Sequence, residues 1–333
     1  MRIPGFVDLQ VNGTKGVDFS SPALSDEAVV YACEQILGNG TAAFLATLVT
    51  SPLDAYERNL PMIARVMRRA EFRNRLLGFH LEGPFISRAA GAVGAHDPAL
   101  ARDPDVELLR QMIGWSGGSI RLLTMAAELP GAEELARVAV SQGIVVSVGH
   151  SLFDAEDLAR LESAGATALT HLGNGLPAML PRHANPIWPG LASDGLTAML
   201  VADGHHLPPP VLRSFIRAKG VSRTVAVSDA SPLAGQPPGR YRYNGQDVAL
   251  ETSGRLHVPS RGCLAGSSAT MLQCMNHLAS LGLLSLDELL AVGFFNPALL
   301  VGMDPAGIPR RTRLRYDEAG ALFTVVAPGE TGG

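Results

Sequence analysis

The chain is poor in cysteine: Cys33, Cys263 and Cys274 are the only three in 333 residues, and no C-x-x-C pair occurs. That excludes a disulfide framework and a zinc site built on thiolates, and reduced, buried thiols are the expected state. Positive charge is not in excess, since 27 Lys and Arg face 31 Asp and Glu and the net charge is -4. Without a general basic field, nucleic acid is not expected as the partner. The N-terminus, MRIPGFVDLQVNG, carries Asp8 early and has no long apolar core, so it does not read as a signal peptide. Gly, Pro, Asn or His interrupts every long uncharged stretch, and none reads as a membrane span. No low-complexity segment is visible, and no repeat shorter than a β/α unit. A soluble, cytoplasmic protein is expected.

What is present is a large apolar fraction, 47%, enough for a sizeable core. The length suits one large α/β barrel or two ordinary domains. Eight short apolar runs read as strands: Gly5 to Val11, Ala42 to Leu48, Leu76 to Glu82, Ile120 to Met125, Ile144 to Val148, Ala166 to His171, Thr197 to Asp203 and Thr224 to Asp229. They are near-continuously apolar rather than alternating, as parallel strands covered on both faces are. Helical patterns separate them: Ser25 to Leu37, with Ser25 as cap and Asp26 and Glu27 in the first turn, then Pro52 to Arg69, Pro104 to Ile113, Ala132 to Gln142, Asp154 to Ala164 and Pro208 to Lys219. Eight β-then-α units predict an α/β fold of the (β/α)8 TIM type rather than an open sheet.

The pattern breaks from Ala230 to Val258, where turn signals at Asn244-Gly245 and Ser253-Gly254 predict a hairpin excursion at about 230–260. Helices resume at Ser268 to Leu281 and Leu286 to Phe295, and Thr312 to Ala327 reads as two short strands around Glu318-Ala319-Gly320. The expected organisation is a barrel over 1–305 and a short C-terminal β segment over 306–333.

Several of the apolar runs end in an ionisable residue: Glu82 in LLGFHLEGP, His150 in IVVSVGHS, His171 in ATALTHLGN and Asp229 in RTVAVSDA. Strand ends converge on one mouth in such a barrel. Taken singly, Glu82 has an ion pair with Arg or Lys as its alternative, and each imidazole a structural hydrogen bond. Taken together, a carboxylate and two imidazoles at the ends of strands three, five and six are a set that holds Zn²⁺, with Fe²⁺ or another divalent ion as substitute. Asp229 is not needed for that set. Beside a metal-bound water it can take a proton and return it, and its alternative is a helix cap, which the Pro-rich segment after it does not favour. His96, in the loop GAVGAHDP, can polarise a carbonyl. Asp203-Gly204-His205-His206 closes strand seven and can line a pocket, and Asn174 and Gly175 offer an amide and a bare backbone N–H. His183, His257 and His277 read as surface or structural residues.

PGFVDLQVNG, HLEGPF, GAHDP, VGHS, THLGN, ADGHH, VSDA and LAGSSATM, in that order over most of the chain, resemble the N-acetylglucosamine-6-phosphate deacetylases of the amidohydrolase superfamily. The resemblance implies one divalent metal on Glu82, His150 and His171, Asp229 as general base and acid, and His96 as a helper on the acetyl carbonyl. It implies sugar or phosphate contacts from Asn174, Gly175 and His206, an amino-sugar substrate and a homodimer. The His-x-His of many amidohydrolases is replaced by Gln10-Val11-Asn12, consistent with a single metal. The usual small β-sandwich is expected to be reduced to a remnant. The family's Asn-Ala-Met reads Asn174-Gly175-Leu176, and the loop after it, PAMLPRHANPIWPG, leaves Arg182 as its one candidate phosphate anchor. The expected activity is release of acetate from N-acetylglucosamine-6-phosphate. The alternatives are an unphosphorylated or different N-acyl substrate, or a non-catalytic metal- or sugar-binding protein.

Overall fold

Apolar runs of this kind need cover on both faces, and the fold supplies it by curling one parallel sheet inside a ring of helices. The computed structural model describes residues 2–326; Ala327, the last residue of the expected tail, and those after it lie outside the described residues. In chain order the strands are β1 (Arg2–Pro4), β2 (Phe6–Val11), β3 (Gly13–Thr14), β4 (Val17–Asp18), β5 (Thr41–Val49), β6 (Leu76–Glu82), β7 (Ile120–Met125), β8 (Val145–Val148), β9 (Ala168–Leu169), β10 (Thr197–Val201), β11 (Thr224–Val227), β12 (Gly239–Tyr243), β13 (Gln246–Leu250), β14 (Leu256–Val258), β15 (Cys263–Leu264), β16 (Arg313–Asp317) and β17 (Leu322–Val325). One eight-stranded sheet runs β2, β5, β6, β7, β8, β9, β10, β11, parallel throughout. This is the (β/α)8 barrel expected from the sequence.

Between first and last barrel strands the ladder is replaced by local devices. Val11 and Ala230 form an isolated parallel bridge. Below it, the Asp8 carboxylate accepts from the Ser228 hydroxyl, from Ser228 N at 3.1 Å and from Gln10 N at 3.3 Å. A side chain therefore closes the barrel where backbone pairing stops.

Helices α1 (Asp26–Gly38), α2 (Leu53–Met67), α3 (Val106–Trp115), α4 (Ala132–Ser141), α5 (Ala155–Ser163), α6 (Ile187–Ala192), α7 (Pro209–Lys219) and α8 (Met271–Ser280) lie between or after the strands. Their starts carry the caps that orphan N–H groups require: Ser25 accepts from Ala28 N, Asp105 from Glu107 N and Leu108 N, and Asp154 and Thr270 form capping boxes. At the other end of α6, the buried Lys219 ammonium donates to the Gly190 and Ser193 carbonyls. The expected helix Leu286 to Phe295 is present and runs on to Leu300, α-helical at Leu286–Leu290 and Asn296–Leu300 with a π-helical segment between them at Ala291–Phe295. Side chains alternate between two cores. Phe44, Phe79 and Leu81 belong to the shell under the helices, whereas Val7, Leu9, Leu45, Leu122 and Val225 fill a second cluster with Phe294.

Three expectations change. The excursion after Ala230 is a four-stranded antiparallel sheet, β12-β13-β14-β15, rather than a hairpin, because the chain folds back once more through Cys263–Leu264. The tail strands β16 and β17 do not stand alone: β1 adds to them, Ile3 opposite Leu314, and Phe323 seats edge-on against Phe6 at a ring separation of 5.1 Å. Finally, the expected sixth, seventh and eighth strands stop short of His171, Asp203 and Asp229, ending at Leu169, Val201 and Val227.

Candidate active site

The shortened strands explain how the site is aimed. Glu82 is the last residue of β6, and His150, His171, Asp203 and Asp229 each follow their strand by two residues. His150, His171 and Asp229 have left-handed backbones, φ +50°, +31° and +50°. Such a φ turns the chain out of the extended path and is sparsely populated by residues with a Cβ. It leaves their side chains, buried to within 6% exposure, gathered beside Glu82, the two imidazoles directly and Asp229 through a shared donor, Gln10.

Glu82 Oε1 lies 2.9 Å from His171 Nε2 and 3.2 Å from His150 Nε2, and the two imidazole nitrogens are 3.0 Å apart. His150 Nδ1 is 2.7 Å from the Ala92 carbonyl oxygen, which can only accept, so Nδ1 carries the hydrogen and the neutral ring presents a lone pair at Nε2. Three lone-pair atoms converging at this range repel unless a cation or proton lies among them. Ligands ~2.0 Å from a tetrahedral centre stand roughly 3.3 Å apart, close to these separations. The donor set fits a divalent ion. Where a proton rather than a cation lies among them, it balances the charge in the cation's place. Burial alone would raise the Glu82 pKa, but hydrogen bonds from His150 and His171 hold it well below the ordinary carboxylate range. Burial alone would lower His150, and the Glu82 carboxylate raises it instead.

Beneath this set lies a belt of buried hydroxyls around one imidazole. His80 Nε2 is 2.7 Å from Thr124 Oγ1, which is 2.7 Å from Thr170 Oγ1, which is 2.6 Å from Ser147 Oγ. Burial pushes the His80 pKa down to about 4, so the ring is neutral and serves as a hydrogen-bonding spacer under Glu82.

Asp229 is held by amides that the sequence reading assigned no contacts. Gln10 Nε2 donates to Asp229 Oδ1 at 3.1 Å and to Glu82 Oε1 at 2.9 Å, and Asn12 Nδ2 donates to Asp229 Oδ1 at 2.8 Å. The period-two spacing of Asp8, Gln10 and Asn12, along the first barrel strand and one residue past its end, was the available signal. Burial, then the nearby Glu82 charge, pushes the Asp229 pKa up to about 6, a value suited to taking and returning a proton near neutrality. Its Oδ2 is 3.7 Å from His206 Nε2, and His206 Nδ1 is 2.8 Å from Asp203 Oδ2. Burial would lower His206, but its bond to Asp203 raises it; Asp203 in turn is held down at about 2 by His206 against burial.

These groups open onto a cavity of about 210 Å³ lined also by His96, Asn174 and Gly175. The His96 ring meets His150 edge-on at 4.4 Å, and burial pushes its pKa to about 3, leaving a neutral imidazole. Two glycines are required here. A Cβ on Gly94 would stand 3.1 Å from His150 Cε1, and one on Gly175 3.0 Å from His150 Nδ1, both at positive φ. Tyr243 and Cys263 from the excursion complete the wall, a role its turn signals did not reveal. Arg182 is not brought in: it is exposed on the loop after Gly175, where its carbonyl accepts from Trp188 Nε1 at 2.9 Å, and among the described residues no Arg or Lys lines the cavity. Outside the cavity lining, His205 bonds the Ser253 carbonyl at 3.1 Å, His257 contacts Glu251, and His183 is exposed.

No protein-family profile matches the chain. It is 37% identical over 314 residues to the N-acetylglucosamine-6-phosphate deacetylase of Bos taurus, covering 90% of this chain and 74% of that one. Against the enzyme of the same name from Bacillus subtilis (strain 168) it is 32% identical over 280 residues, 83% of this chain and 69% of that one. Among solved structures, a variant of the Mycobacterium smegmatis N-acetyl-D-glucosamine-6-phosphate deacetylase in complex with N-acetyl-D-glucosamine-6-phosphate superposes with a TM-score of 0.87 at 29% identity, covering 98% of this chain and 85% of that one.

Proposed function

This chain belongs to the N-acetylglucosamine-6-phosphate deacetylase family of amidohydrolases, and we propose that it hydrolyses the acetamide of N-acetylglucosamine-6-phosphate, giving acetate and glucosamine-6-phosphate. The observation that carries the reading is the juxtaposition of the Glu82, His150 and His171 donor set with Asp229, a carboxylate the set does not use. A divalent ion held by these three residues, zinc in our reading and one in number, supplies Lewis-acid polarisation and a more acidic water.

The chain's own residues do the rest. Asp229 Oδ1 is fixed by Gln10 and Asn12, and the carboxylate accepts a proton from the attacking water. The imidazole of His96 donates a hydrogen bond to the acyl carbonyl oxygen, where negative charge develops. As the new C–O bond forms and the C–N bond breaks, Asp229 delivers its proton to the departing amine nitrogen. Asn174, the Gly175 backbone N–H and His206 contact the sugar phosphate.

Because among the described residues no Arg or Lys lines the cavity of one chain, the phosphate anchor is the weakest contact, and two readings follow. In the first, a second copy covers the loop bearing Arg182, on which Met179 is 90% and Trp188 52% exposed, and a homodimer completes the site. In the second, the substrate is an unphosphorylated or different N-acyl compound. We assign the protein to the cytoplasm on its three free thiols; among the described residues no helix is long and apolar enough to cross a membrane. The test is acetate release by the zinc-loaded protein from N-acetylglucosamine-6-phosphate and from N-acetylglucosamine. Preference for the phosphate ester is expected. Equal rates favour the second reading, and release from neither refutes the proposal.

A further inference from the structure

His96 has little of its own to hold it. Its Nδ1 finds no hydrogen-bond partner among the described residues, and its ring rests against His150. Its position is set by the backbone of the loop that carries it, and that backbone is tied at two ends. At one end the Ala92 carbonyl accepts from His150 Nδ1 at 2.7 Å. At the other, three consecutive carbonyls are captured by the four-stranded excursion. Gly94 O and His96 O accept from Arg261 Nη1 at 3.1 and 2.9 Å, and Ala95 O accepts from Gln246 Nε2 at 2.6 Å. The Ala95 methyl packs into the apolar cluster of that same sheet, with Tyr243, Val248 and Val258. Gln246 opens β13 and Arg261 sits in the turn between β14 and β15, so the two donors come from separate parts of one small sheet.

Carbonyls accept from water equally well, so three adjacent ones bonded to side chains 150 or more residues away are not needed merely to satisfy the backbone. They fix a position. We propose that the excursion sheet is the element that registers His96 against the acyl carbonyl, with Arg261 and Gln246 as positioning residues. The inference rests on the role given to His96 above. A displacement of about 1 Å at such a group can cost up to ~10²-fold in rate.

The experiment is a double-mutant cycle on the metal-loaded protein with N-acetylglucosamine-6-phosphate as substrate. Arg261 is exposed, so its truncation leaves the cores intact; Gln246→Ala provides a second, independent variant. Arg261→Ala is expected to lower kcat about tenfold with KM within about twofold, Arg261→Lys to recover part of the loss, and His96→Ala to lower kcat by ~10²-fold or more. In the His96→Ala background, Arg261→Ala and Gln246→Ala are expected to add no further loss. Full additivity in that background overturns the positioning role, as does wild-type kcat in both clamp variants. Undiminished turnover in His96→Ala alone is a different failure, that of the role assigned to His96, and takes the inference with it.

Discussion

Replacing Asp8 by asparagine tests the closure of the barrel by changing how stability depends on pH. Asp8 is 1% exposed, and burial pushes its pKa from 3.8 up to about 6, against hydrogen bonds from Ser228 and Gln10 that pull it down. Two effects compete here, desolvation favouring the protonated acid and three donors favouring the anion, and desolvation wins. A group whose folded pKa lies above its unfolded value stabilises the fold fully below the unfolded pKa and loses that contribution as pH rises through the folded one. Roughly two units at about 1.36 kcal/mol each make the loss about 3 kcal/mol between pH ~4 and ~7. A carboxamide cannot ionise, so Asp8→Asn lacks this pH-dependent contribution. Its amide oxygen can still accept from the two N–H groups and its amide N–H can face the Ser228 hydroxyl, so any geometric penalty is a constant offset. The assay is urea unfolding of both metal-free proteins across pH 4–8. Wild-type stability minus that of Asp8→Asn should fall by about 3 kcal/mol as pH rises. A flat difference would refute the desolvation argument, and a rising one would mean that the three donors hold the carboxylate as an anion.

Chelator treatment should abolish turnover and lower the unfolding midpoint, since an ion bound only by the native state stabilises it; Zn²⁺ should restore both, and Glu82→Gln should make the midpoint insensitive to chelator. Asp229→Asn should reduce kcat by about 10²–10⁴-fold with bound metal unchanged, read by steady-state kinetics and elemental analysis. Phe323, 1% exposed against Phe6, should cost about 3–5 kcal/mol on truncation to Ala in urea unfolding, without changing kcat at low temperature, because it packs at the start of β2, away from the mouth.

Glu82, His150, His171 and Asp229 were legible because each closes an apolar run, and an ionisable residue there must be compensated by something. The barrel was legible for a related reason: eight apolar runs alternating with helical patterns leave few other ways to cover both faces. Gln10 and Asn12 were harder. As neutral amides they carry no burial penalty large enough to announce a partner, and Asp229 lies over 200 residues away. The hold on the His96 loop left no trace, since its acceptors are main-chain carbonyls that every residue possesses. Arg182 shows the opposite case. Its place in a loop that follows His171 said nothing about which way the loop turns, and the structure leaves it exposed.

The left-handed backbones of His150, His171 and Asp229 set the protein's chemistry against its durability. Each costs on the order of 1 kcal/mol, a cost glycine at the same position would escape. A library sorted only for survival of heat in the presence of chelator would therefore drift toward glycine at these three positions, shedding the proposed metal ligands and the proposed base while keeping the barrel. Hydrolysis persists here only under a selection that counts turnover, and stability alone is a misleading guide to which variants of this chain still work.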